Sequence, residues 1–66
     1  MKATINGEAR EFQTELTFAE LLDQLGVAQS GIAVARNDEV LRRGALGEER
    51  ICEGDRIEII RAVAGG

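Results

Sequence analysis

The chain opens on strict alternation. In MKATI, Met1, Ala3 and Ile5 fall on one face and Lys2 and Thr4 on the other, the period of a half-buried strand. Asn6-Gly7 follows, a pair in which both residues tolerate the positive φ of a type I′ turn. EAREF then returns as a second strand, with Phe12 opposite Met1 and Arg10 on the Ala3 face. That position suits an edge strand, where the arginine stem lies on apolar surface and the guanidinium reaches water. The period then changes to that of a helix. Phe18, Leu21, Leu22 and Leu25 follow the i, i+3, i+4, i+7 spacing of one apolar stripe. Thr17 is the expected N-cap, Glu20 completes a capping box, and Leu16 can staple onto Leu21. Gly26 stands where a left-handed C′ residue belongs, with Val27 able to touch Leu22 across the cap.

Alternation resumes in GIAVARN, with Ile32 and Val34 inward. Asn37-Asp38 turns the chain and EVL pairs back. RRGALGEERI is irregular, with room for one helical turn anchored by Leu46. Glu53-Gly54-Asp55 makes a turn, and RIEIIRAV is the last strand. Its Ile57, Ile59 and Val63 share one face, and Ile60 and Ala62 share the other. About eight helical residues do not persist in isolation, so the stripe must lie on the sheet. The expected architecture is α+β: a small sheet of about five strands with one helix packed across one face. Pattern alone does not order the strands.

At 66 residues the chain is long enough for one domain, 1–66, with residues 64–66 as a flexible tail. A net charge of −4 disfavours nucleic acid and anionic membranes as partners. No apolar run approaches a membrane span and no signal peptide is evident, so the cytoplasm is the expected compartment. With one cysteine and no histidine, neither an internal disulfide nor a His/Cys metal cluster can form.

The same inventory removes most catalytic constellations. There is no histidine base, Cys/His pair, P-loop or dinucleotide fingerprint. Glu48-Glu49 and the Glu8/Glu11 pair read as solvated surface. Cys52 reads as a packing residue, because free cysteines are among the most buried residue types and Glu53 beside it does not favour a thiolate. What is left is the ending, Ala64-Gly65-Gly66. Glycines without side chains can thread a narrow channel in any backbone conformation. A carboxylate on Gly66 could attack the α-phosphate of ATP to become an acyl-adenylate, from which a sulfur nucleophile displaces AMP. The chain has no nucleotide-binding motif, so another enzyme would supply the ATP chemistry. Ile60, on the face away from the helix, is a candidate partner contact.

The stretches ATINGEAREF, LTFAELLDQLGV, GIAVARNDEVLRR, EGDRIEIIRAV and the final AGG together resemble the ubiquitin-like β-grasp sulfur carriers, most closely those of thiazole biosynthesis. The resemblance runs the length of the chain. It implies a mixed sheet with the first and last strands parallel in the middle. It also implies that Gly66 is adenylated by an E1-like activating enzyme and converted to a thiocarboxylate. That group would pass its sulfur to thiazole synthase, with no cofactor bound by the carrier itself. Ala64, Gly65 and Gly66 would then enter partner active sites, and Ile60, Arg61 and Ala62 would be candidate partner-binding residues. Other readings stay open: the small subunit of molybdopterin synthase, whose members usually run longer and often carry prolines; a protein modifier joined to lysines through Gly66; and an interaction domain with an idle tail. Asp38 departs from the family, which commonly has glycine in that turn.

Overall fold

A computed structural model describes residues 1–61. The elements are β1 (Lys2–Ile5), β2 (Glu8–Glu11), α1 (Phe18–Leu25), β3 (Ile32–Arg36), β4 (Glu39–Leu41), a short 3₁₀ turn (Arg43–Ala45) and β5 (Arg56–Arg61). The sheet order is β2-β1-β5-β3-β4. β1 and β5 run parallel and the other neighbours are antiparallel, so the first and last strands meet inside a mixed sheet as the resemblance implied. The expected positions of Ala62, Val63 and the tail lie outside the described residues.

The local signals form as the pattern reads. Ala3 pairs with Arg10 on the edge strand β2, and Met1 and Phe12 exchange backbone hydrogen bonds of 2.7 Å in each direction. The capping box is complete: Glu20 N–H donates to Thr17 Oγ1 at 3.1 Å, and Thr17 N–H donates to Glu20 Oε1 at 2.9 Å. At the other end of α1, Gly26 takes φ 72°. Its N–H donates to Asp23 C=O, and Val27 N–H donates to Leu22 C=O, the two bonds of a Schellman cap.

The core lies between α1 and one sheet face. Phe18, Leu21 and Leu22 from the helix meet Ala3, Ile5, Val34 and Ile57 from three strands, and Leu16, Leu46 and Ile51 close the ends. The irregular segment between β4 and β5 has a definite task. Leu46 C=O accepts from Ala19 N–H, Glu49 C=O accepts from Phe18 N–H, and Leu16 C=O accepts from Ile51 N–H. Two of the helix-start amides that no intrahelical partner can satisfy are therefore satisfied by this loop.

Both hairpin turns put residues in the left-handed region: Asn6 at φ 51° and Gly7 at 85°, Asn37 at 51° and Asp38 at 71°. Asp38 thus adopts the conformation that glycine would take more easily, while its carboxylate pairs with the exposed Arg56 guanidinium.

Candidate functional site

β5 is the last described element of the chain, and its pairing in the sheet determines what it presents. Because successive side chains alternate across a strand, Ile57 and Ile59 face α1, with Ile57 fully buried, while Ile60 stands on the open face. Ile60 is 56% exposed and sits opposite Ala33. On the next strand Val40, 70% exposed, sits opposite Ala35. Ala33, Ala35, Val40 and Ile60 therefore make one apolar strip across β4, β3 and β5. The small alanines in its centre leave the two larger side chains standing proud at its ends. Val40 was not singled out in the sequence; the signal lies in the register, which brings residue 40 beside 35 and residue 60 beside 33.

Of the candidate residues 60–62, the two that are described point to opposite faces of the sheet. Arg61 lies on the opposite face from Ile60, beside a hollow of about 250 Å³ that it lines with Val27, Ser30 and Ile32. Ala62 lies outside the described residues, as do Ala64, Gly65 and Gly66.

An ionic cluster built around the buried Asp55 sits at the end of the sheet where β5 begins. Asp55 is only 6% exposed. Its Oδ2 accepts from Arg36 Nε at 3.2 Å and from Cys52 N–H at 2.8 Å, and its Oδ1 accepts from Asn37 Nδ2 at 3.2 Å. Arg36 also donates to Glu49 Oε1 at 2.9 Å and to the Arg50 carbonyl, and its guanidinium lies 5.1 Å from the Phe18 ring centre, within cation–π range. Burial alone would lower the Arg36 pKa, but the hydrogen bond to Glu49 and the nearby Asp55 carboxylate outweigh it and hold the group above its ordinary value. A raised value means that the Arg36 charge is kept at neutral pH, and that its contribution to stability is lost as the solution becomes strongly alkaline. This cluster locks the irregular loop to β3 and β5. The sequence showed Asp55 only as a turn residue.

Cys52 is a correction. It is exposed rather than packed. The tight turn at residues 52–55 directs Asp55 inward to its three donors and leaves the thiol outside, donating weakly to the Arg50 carbonyl at 3.7 Å. Among the described residues no three of His, Cys, Asp and Glu stand close enough to hold a metal ion, and no helix is long and apolar enough to cross a membrane.

Comparison with known proteins bears directly on this arrangement. The model of the ThiS family matches residues 3–66. The sulfur carrier protein ThiS of Escherichia coli is 32% identical over 66 residues, covering all of both chains. A crystal structure of the thiamine biosynthesis protein ThiS from Geobacter metallireducens superposes with a TM-score of 0.86 at 35% identity, again over the whole of both chains. A thiazole synthase of Paramagnetospirillum magneticum is 38% identical across all 66 residues, but the chain spans only 20% of that protein's length. The five-stranded β-grasp sheet, the capped helix across it and a match that extends through Gly66 agree: the chain belongs to the ThiS family.

Proposed function

We propose that the chain is a cytoplasmic sulfur carrier for the assembly of a thiazole, a covalently loaded co-substrate rather than a catalyst. The observation that carries this reading is the end-to-end match to the Escherichia coli sulfur carrier protein ThiS. In the proposed cycle a Gly66 carboxylate oxygen attacks the α-phosphorus of ATP within an E1-like activating enzyme. The bond to the β-phosphate oxygen breaks and pyrophosphate leaves. A sulfide-level nucleophile then adds to the acyl carbon, AMP leaves with the C–O electron pair, and Gly66 carries a thiocarboxylate. The ATP and the sulfur belong to partner enzymes. The carrier contributes an acyl group on side-chain-free residues and a folded body for the partner to grip.

Thiazole synthase is the proposed acceptor. Two relatives named thiazole synthase hold a segment 38% identical to this whole chain within a polypeptide about five times as long. Joining carrier and acceptor in one chain raises their effective concentration without any new contact, which is useful only if the two act together.

Intact-mass analysis of the protein isolated from its own cells tests the carrier reading. The expected species has one carboxylate oxygen of Gly66 replaced by sulfur. A Gly66 that is only ever found as plain carboxylate, even alongside an active sulfur-loading system, would overturn it.

The apolar strip is the proposed gripping surface, because it lies on the open face of the strand that leads to the tail. Aspartate at Ile60 would place a charge on one of the two side chains that stand proud of the strip, on a surface that must shed water to bind. Truncating or charging an anchoring contact typically weakens binding by about 2 kcal/mol, roughly thirtyfold. Ile60→Asp is therefore expected to raise the Kd for the activating enzyme by that factor. Its melting temperature should stay within about 4 °C of the parent, since exposed substitutions change stability by about 0.5 kcal/mol. Calorimetry of both quantities checks this. Unchanged affinity would remove the strip from the interface.

A further inference from the structure

We propose that Asn6 is a positioning residue for the C-terminal segment, its side-chain amide replacing the strand residue that β1 no longer supplies and fixing the line along which β5 leaves the sheet. β1 ends at Ile5, and the chain turns away through Asn6 and Gly7. The parallel ladder with β5 does not stop there. Thr4 N–H donates to Asp55 C=O at 2.9 Å, Asn6 N–H donates to Ile57 C=O at 2.9 Å, and Ile59 N–H donates to Asn6 Oδ1 at 2.8 Å. In a regular parallel ladder that last acceptor would be a main-chain carbonyl. Here the main chain has turned and the side chain takes its place.

The consequence concerns the final residues of the strand. On one flank, β3 pairs with β5 as far as Arg61. On the other flank, β1 pairs only with Arg56 and Ile57, and the Asn6 amide is the next hold. It grips Ile59 two residues before the strand ends. Without it, residues 58–61 would be restrained from one side only, and small rotations about β3 would swing whatever follows Arg61. Asn37 uses the same device at the start of the strand, its Oδ1 accepting from Arg56 N–H at 2.8 Å. Two turn asparagines at the same φ thus clasp opposite flanks of one strand.

The turn itself does not require the amide. Glycine takes positive φ more readily than asparagine, so a glycine at position 6 would serve the hairpin and lose the acceptor. Aspartate would keep an acceptor and still tolerate the left-handed region. The two roles are therefore separable by substitution. The inference rests on the carrier reading, because only a tail that must reach a reaction centre makes the exit direction matter.

The experiment compares the parent, Asn6→Gly and Asn6→Asp by two readouts. The first is amide hydrogen exchange, which needs no partner. Asn6→Gly should speed exchange at Ile59 about tenfold, the factor by which one net hydrogen bond shifts a local opening equilibrium. Exchange at Leu21 and Leu22 in the core should stay near the parent rate, and Asn6→Asp should restore protection at Ile59. The second is ATP–pyrophosphate exchange with the activating enzyme. Asn6→Gly should lower kcat about fivefold or more, with KM for the carrier within about twofold, because docking through the sheet is intact and only delivery of the terminus suffers. Asn6→Asp should return kcat to near the parent value. Parent kcat in Asn6→Gly overturns the proposal, as does unchanged exchange at Ile59. A parent chain that supports no pyrophosphate exchange overturns the carrier reading instead, and the Ile59 amide then decides by itself whether Asn6 holds β5.

Discussion

Replacing Asp55 with alanine is expected to lower the melting temperature by about 15 °C, the shift that roughly 3 kcal/mol produces in a domain of this size. The estimate follows from what the carboxylate holds. It accepts from a guanidinium, a side-chain amide and a backbone N–H, and alanine would leave all three without this partner. Removing one member of a buried charged pair typically costs about 3–5 kcal/mol, because the other charge stays buried and uncompensated. The lower end applies here, since Arg36 keeps Glu49 and the Arg50 carbonyl. Asn37 can also turn toward water. Asp55→Asn should fall between parent and alanine, because it keeps one carbonyl oxygen but presents an NH₂ group to donors. Thermal unfolding followed by circular dichroism reads all three proteins. A loss of less than about 4 °C in Asp55→Ala would mean that the cluster contributes no more than an exposed ion pair.

The second large effect concerns chemistry and leaves the fold alone. Under the carrier reading, Gly65→Val should slow adenylation about a hundredfold, equivalent to about 3 kcal/mol of lost transition-state stabilisation. Two physical effects act together. A valine side chain must fit wherever the glycine backbone passes, and its β-branch disfavours the positive φ that glycine accepts freely. Position 65 follows the last described residue of β5, Arg61, by four places in sequence, and the melting temperature is expected to match the parent. Pyrophosphate exchange with the activating enzyme measures the rate. Exchange at the parent rate would remove the reason for glycine at this position. A variant extended past Gly66 should give no exchange at all, because Gly66 is then an amide and the new terminal carboxylate lies beyond the position from which it would attack phosphorus.

Local chemistry was legible in the sequence wherever neighbours along the chain decide the structure. Thr17, Glu20 and Gly26 bound the helix because cap geometry involves residues three to five positions apart. Asn6-Gly7 fixed the first hairpin and its register for the same reason. What stayed hidden depends on residues brought together from far apart. The Asp55 cluster joins positions 18 and 19 residues away in sequence, and a turn-forming aspartate looks the same whether its carboxylate meets water or a guanidinium. Cys52 was misread because a general tendency toward burial was applied where the turn geometry, set by Asp55, points the thiol outward. At the candidate site, Ile60 was legible from alternation. Its companion Val40 needed the β3–β4 and β3–β5 registers to be known, and these follow from packing rather than from any local pattern.

The order in which the strands are made differs from the order in which they lie. β5 comes last of the described strands in the chain, yet it sits between β1 and β3. During synthesis on a ribosome, therefore, the two hairpins emerge first and have no shared partner. Each exposes an apolar face and an unpaired edge until Arg56–Arg61 arrives to join them. A nascent chain stopped anywhere before Arg56 holds no continuous sheet. Under the carrier reading, the body that a partner would recognise thus comes into being only with the last described strand, and an incomplete chain would have nothing to present for loading.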